Sequence, residues 1–478
     1  MTATLSLEAA RLVLPSLRWR PDGGFSHEAG AIADALDLGV GGFIIFGGDV
    51  ESVRRLTTDL TRRAGRPLLL AADFERGAGQ QVAGLTEFPP PAALASLEDA
   101  AVIRWAGAVT AQEARAVGIN WVFAPVADLD VRPDNPIVQT RAFGDDPQRV
   151  ASYVRSWIEG CQSAGALACA KHYPGHGRTA VDSHIDLPVV EASADVLRAN
   201  DLVPFQVAVE SGVASVMTGH VAYPSLDASG LPATLSKPLL DELRGPLRFS
   251  GLVVSDALIM DGALQGRRES DAAVEAVRAG VDLLLYPKDP RRVKEALEQS
   301  VASGALEEAR LSQALSRYEH ALKMATGPTA PVARGPYESV DALADALLEH
   351  GMIRGAPPRL EAPIDLIVVD DDLGGPFPAG PSDGTAQVLG DELVGRYAGG
   401  SRVVLAFAEP RAWKGRSGFG STSVETLADR AGDADLVVLF GHPRLLIELP
   451  AEVPVLLAWH RQRLMQEAVA RWLRGRLK

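Results

Sequence analysis

Residues 171–188, KHYPGHGRTAVDSHIDLP, hold three of the nine histidines of the chain together with two aspartates and a lysine. Imidazole changes its charge near neutral pH, so such a segment is equipped to transfer protons. A metal site is the other use of clustered histidines. Here Pro174, Gly175 and Gly177 interrupt any helix, so His172 and His176 do not form an i,i+4 pair on one helical face. The segment reads as a loop, and four histidines between 172 and 220 are more than a solvated turn requires. Further groups able to do chemistry stand where apolar runs stop. Asp73 and Glu75 follow the run 68–72, Asp128 follows 119–124, and Lys171 and His172 follow 166–170. His220 follows 214–218, and Asp256 follows 252–254.

These runs, with 12–17, 42–46 and 281–286, make eight short apolar segments, and between them lie stretches with helical spacing such as Val53, Leu56 and Leu60. Alternation of this kind predicts an α/β fold whose N-terminal part is a (β/α)8 TIM-type barrel, the length preferring it to an open doubly wound sheet. In either architecture ligands meet the carboxyl ends of the strands, where the polar residues collect. A helix over 306–324 closes the repeat, the Pro/Gly-rich GPTAPVARGP of 327–336 starts a linker, and a short helix over 340–348 follows. Four more apolar runs, 364–369, 403–407, 436–440 and 455–459, and a final helix over 464–473 predict a smaller α/β sandwich domain. The expected boundaries are 1–326 for the barrel, 327–360 for the linker and 361–478 for the second domain. GRSGFGST, 415–422, lacks the lysine of a phosphate-binding loop and reads as a plain loop. Cys161 and Cys169 read as buried small apolar residues rather than a disulfide.

With 478 residues, 47% of them hydrophobic and 23% charged, the chain can bury a sizeable core. Its 47 Lys and Arg against 61 Asp and Glu give a net charge of −14, which would repel a phosphate backbone, so no nucleic-acid partner is expected. The first residues lack the basic and apolar regions of a signal peptide, and no apolar run approaches about 20 residues, so the reading is of a cytoplasmic protein with no membrane partner.

The polar segments, taken in order, resemble the β-N-acetylhexosaminidases of glycoside hydrolase family 3. ADFERG at 72–77 resembles the family's D-x-E-x-G turn. Ile119 to Asp130 with Arg141, Phe143 and Gly144 resembles its N-x-x-F-A-P-V-x-D and R-x-F-G elements. The histidine loop, MTGH at 217–220 with Pro224, PATLS at 232–236 and GLVVSDALIM at 251–260 follow collinearly, so the resemblance covers roughly residues 10–290. It implies a retaining exo-β-N-acetylglucosaminidase that takes a small carbohydrate, such as muropeptides or chitin fragments, with no metal or organic cofactor. Asp256 is implied as nucleophile, His184 as general acid/base and Asp182 as its partner. Asp73, Arg141, Lys171 and His172 fall on the positions that bind the non-reducing sugar. The chain departs from the family at Ala78, where an Arg is frequent, and at Arg178, where an Asp is frequent. The rival readings are a family phosphorylase or β-glucosidase and a catalytically inactive sugar-binding protein. Because every implied catalytic group precedes residue 260, the second domain is expected to be dispensable for the chemistry.

Overall fold

The computed structural model describes residues 8–181, 186–329, 331, 334–373, 375, 379–395, 400–411 and 414–478. The chain divides into two compact units. The first comprises Met1–Thr86, Ala100–Val131 and Ala142–Ala333, and the second Glu87–Asp99, Arg132–Arg141 and Arg334–Lys478.

Strands of the first unit are β1 (Val13–Leu14), β2 (Ser16–Arg18), β3 (Gly42–Phe46), β4 (Leu69–Ala72), β5 (Trp121–Val122), β6 (Leu167–Tyr173), β7 (Ser215–Thr218), β8 (Leu252–Ser255) and β9 (Leu284–Leu285). Each of the eight apolar runs overlaps one of them. Strands β2 to β8 form a curled, seven-stranded parallel sheet in strict chain order, the arrangement that successive β-helix-β crossovers generate. β1 pairs in parallel with β9, and Val254 of β8 bridges to Leu283. Pro15, without an N–H, separates β1 from β2. Its carbonyl accepts from Ile44 N, while Leu14 O accepts from Tyr286 N. Strands β4 to β8 are buried along their whole length because helices cover the sheet. The helix Val50–Ala64 shows how these crossovers are written. Asp49 caps it by accepting from Ser52 N, and Val53, Leu56 and Leu60 are its buried stripe. Cys161 and Cys169 are buried free thiols.

The second unit holds β10 (Met352–Arg354), β11 (Asp365–Asp370), β12 (Arg402–Ala408), β13 (Leu436–Gly441) and β14 (Val455–Leu457), in the order β10-β14-β13-β12-β11. β10 is antiparallel and the others are parallel. Alternate residues feed two apolar clusters, Val403, Leu405 and Phe407 into one and Val404, Ala406 and Ala408 into the other. The helix Val340–Glu349 and β10 belong to this unit, so the stretch assigned to a linker through residue 360 contains a helix and an edge strand.

Candidate active site

β6 is buried over all seven residues and carries a lysine near its end, which forces the question of how a buried ammonium is satisfied. Lys171, with a side chain only 3% exposed, places Nζ 2.7 Å from Asp73 Oδ1 and 2.7 Å from Glu75 Oε1. Both carboxylates lie just beyond the end of β4, two strands away. Glu75 is buried, whereas the Asp73 side chain is 30% exposed and retains a solvent-facing portion.

The next residue, His172, directs Nδ1 to Asp128 Oδ2 at 2.8 Å, and its N–H donates to Asp128 Oδ1 at 3.2 Å. His176 N donates to the same Oδ1 at 2.6 Å. Burial raises the pKa of Asp128, but the facing His172, its hydrogen bond, and His176 outweigh burial and hold the carboxyl below its usual range. A fully buried carboxylate thus fixes the imidazole ring and the start of the loop together. His176 is fixed in turn, with Nδ1 2.7 Å from Thr179 Oγ1.

The loop that follows is built tightly where it is described. A Cβ at Gly177 would stand 1.7 Å from Leu129 O, so only glycine permits that approach, and Gly175 has φ +133°. The Tyr223 hydroxyl donates to Gly175 O. Arg178 Nε reaches both carboxylate oxygens of buried Asp201, at 3.0 and 2.8 Å. Asp201 stands at the end of a π-helical turn, Leu197–Asp201. Its pKa is raised by burial, which the Arg178 hydrogen bond offsets only in part.

Asp256 follows β8 directly. Its N–H donates to Thr218 O at 3.2 Å, and its Oδ1 accepts from Ala257 N at 2.7 Å. His220 braces this turn from the end of β7. Ala257 O, 3.1 Å from His220 Nε2, can only accept, so Nε2 carries a proton toward it, while Nδ1 lies 2.8 Å from Thr234 Oγ1. Burial pushes the thiol of Cys169 up to about 12, and the charges of Lys171, Asp73 and Asp256 all act on it.

The structure brings Asp73, Lys171 and His172 together and sets Asp256 just past the end of β8, two strands beyond β6. Arg141 closes the short turn Gln139–Arg141, in a segment that clusters with the second unit, and its N–H donates to Val138 O at 2.8 Å. Asp182 and His184 lie outside the described residues. Glu75, Asp128, His176 and His220 complete the geometry, although the sequence singled them out only as polar residues at run ends or in the loop. The signal for Glu75 and Asp128 is that each follows an apolar run that forms a strand of the same sheet as β6, which carries Lys171. Among the described residues no group of three or more His, Cys, Asp or Glu is arranged to hold a metal ion. No described helix is long and apolar enough to cross a membrane.

Residues 7–320 match the glycosyl hydrolase family 3 N terminal domain. The chain is 34% identical over 290 residues to a beta-N-acetylglucosaminidase/beta-glucosidase of Cellulomonas fimi, covering 59% of this chain and 51% of that protein, so it spans about half the length of that relative. It is 35% identical over 271 residues to a beta-hexosaminidase of Nitrosospira multiformis, covering 54% of this chain and 77% of the relative. Among solved structures, a family 3 beta-N-acetylglucosaminidase from Paenibacillus sp. str. FPU-7 superposes with a TM-score of 0.77 at 24% identity, over 100% of this chain and 97% of that one, a likeness of fold. The family match extends over more than half of the sequence and includes every strand end described above: the chain is a member of glycosyl hydrolase family 3.

Proposed function

We propose that the protein is a retaining exo-β-N-acetylglucosaminidase acting on terminal N-acetylglucosamine of small glycosides such as muropeptides or chitin fragments. In this reading the first unit is an eight-stranded (β/α)8 barrel and the second an α/β sandwich. The carrying observation is the Lys171 ammonium held between Asp73 and Glu75, beside the Asp128–His172 pair and at the same strand ends as Asp256. Sugar hydroxyls need donors and acceptors fixed in place, and Lys171, His172 and the partly exposed Asp73 are fixed by buried partners. The relatives named for hexosaminidase activity support the same substrate class. The role of Arg141 as a further sugar contact rests on sequence resemblance.

Retention needs two displacements at the anomeric carbon. The Asp256 carboxylate attacks that carbon while His184, with Asp182 stabilising its imidazolium, protonates the departing glycosidic oxygen. Neutral His184 then takes a proton from water, whose oxygen displaces Asp256. The test compares chromophore release from aryl N-acetyl-β-glucosaminide and aryl β-glucoside, with and without phosphate, and follows the anomer first formed. The expected result is preference for the N-acetyl substrate, a β product and no acceleration by phosphate. Preference for the glucoside, an α product or a sugar phosphate product overturns the reading. His184→Ala is expected to slow substrates with poor leaving groups ~10²–10⁴-fold more than activated aryl substrates, the usual worth of general acid help.

A further inference from the structure

At the amino ends of the strands the charge pattern is reversed. Asp282 lies two residues before β9, with its side chain fully buried. It accepts from Val253 N at 3.0 Å and from three guanidinium groups: Arg244 Nη2 at 2.5 Å, Arg310 Nη2 at 2.7 Å and Arg317 Nη1 at 3.0 Å. One carboxylate thus faces three cations in a chain whose overall charge is strongly negative. Arg310 also donates to Val277 O and Val281 O, and its buried Nη1 has no partner among the described residues. Burial lowers the pKa of Arg244 to about 10. Asp282 opposes the shift, and Arg317 and Arg310 reinforce it. If these groups served only to tie the ends of the helices to the sheet, one arginine on Asp282 would do so without that mutual repulsion.

Beside the triad lies a cavity of about 440 Å³, lined also by Lys237, Arg278 and Gln313 and by two carboxylates, Asp241 and Glu307. Lys237 is paired with Asp241 at 2.6 Å, and Arg278 and Glu307 balance formally, so the cavity keeps the surplus of two positive charges left by the triad. Arg317, 28% exposed, lines it directly. Guanidinium groups suit tetrahedral oxyanions because their N–H fork meets two oxygens at once. We propose that this cavity binds a phosphate dianion, either inorganic phosphate or the phosphoryl group of a small metabolite, at the edge of the sheet opposite Asp256.

Titration calorimetry on the full chain, with sodium phosphate or glucose 6-phosphate against a sodium chloride reference of equal ionic strength, tests it. Saturable binding of at least one probe is expected. The double variant Arg278→Gln/Lys237→Gln, at exposed positions that leave the fold intact, should weaken it at least about tenfold, and Arg317→Gln more. Tighter binding of glucose 6-phosphate identifies a phosphorylated metabolite as the occupant, and equal binding identifies the free ion. No saturable binding by either probe, or wild-type affinity in the double variant, overturns the proposal. Wild-type affinity there combined with loss in Asp256→Ala would place the ion at the carboxyl ends instead and overturns it too.

Discussion

Both units carry charged residues at the carboxyl ends of parallel strands, yet they use them differently. In the second unit Asp370 ends β11, Asp371 and Asp372 follow it, Glu409 follows β12, and these acids face Arg411, Lys414, Arg416 and Arg461. Arg461 holds Asp372 at 2.8 Å and Asp370 at 2.7 Å, Lys414 holds Asp371 at 3.0 Å, and Arg416 holds Asp371 at 2.8 Å. Gly420 N and Ser423 Oγ complete the shell of Asp371. Burial raises the pKa of Asp371, but the Gly420 N–H and Lys414 outweigh it and keep the carboxyl below its usual range. Among the described residues these four acids meet four strong bases, His460 Nε2 lies 3.0 Å from Glu409 as a further partner, and every acid of the network is paired. In the first unit Asp73 and Glu75 share Lys171, Asp128 holds His172, and Asp73 and Asp256 are only partly buried. The topological position is the same. What differs is exposure: the side chains of Asp370, Asp371, Asp372 and Glu409 are at most 6% exposed, whereas that of Asp73 is 30% exposed.

The largest effect that would sharpen this contrast is at Asp256. Asp256→Ala should lower kcat by at least ~10⁴-fold, about 5 kcal/mol of barrier, with an unchanged thermal midpoint, because it removes an attacking group and leaves no core cavity. Near-normal turnover would remove Asp256 from the mechanism. The second unit should answer in the opposite sense. Arg461→Met leaves Asp370 and Asp372 short of their shared partner and should cost about 3–5 kcal/mol of stability by urea unfolding. The kcat per folded molecule should stay within about twofold. A catalytic loss with unaltered stability would mean that this network takes part in the chemistry.

How much of this could be read in the sequence follows from how local each signal is. Strand ends are local: an apolar run followed by a charge put Asp73, Lys171 and Asp256 at a common rim before any coordinates. Pairing is not local. Lys171 and Asp73 are 98 positions apart, and what joins them is the β4-to-β6 spacing of the sheet. Arg178 stood out as a departure from the family pattern, but Asp201 sits in a helical stretch whose π turn has no evident residue signature, so its ion pair could not be foreseen. The segments Glu87–Asp99 and Arg132–Arg141 interrupt the strand series, yet they cluster with the second unit, an assignment made by tertiary packing alone. Arg244, Arg310 and Arg317 each look like an ordinary helical surface cation until Asp282 gathers them.

A smaller effect probes the exposed member of the Lys171 triad. Asp73→Asn keeps the shape and leaves Lys171 its bond to Glu75, so stability should fall by less than about 1 kcal/mol. A charged hydrogen bond to a sugar hydroxyl is worth about 1.5–3 kcal/mol, so kcat/KM should drop roughly tenfold or more. Loss of stability without loss of kcat/KM would make Asp73 another structural acid, like Asp371, and erase the contrast at that position.

The smallest expected effect concerns Asp128, whose buried carboxyl, like that of Asp371, is held below its usual range by its partners. Its folded pKa lies below that of an unfolded aspartate, about 3.9. The folded state therefore binds the proton more weakly than the unfolded chain does. The resulting stabilisation is fully present above about pH 5 and is lost as pH falls through the folded value. Other carboxylates titrate in the same range, so the informative quantity is the difference between the wild type and Asp128→Asn, which share all the others. At pH 7 the wild type should be more stable, and the gap should narrow as the pH is lowered toward 3, below the unfolded value, where the stabilisation by the charged carboxyl is being lost. Urea midpoints at pH 7, 5 and 3 measure it. A constant gap would mean that shape rather than charge fixes His172 and His176. The ring at the candidate sugar position would then be held by packing, and Asp128 would no longer stand beside Asp371 as a carboxylate held by its charged neighbours.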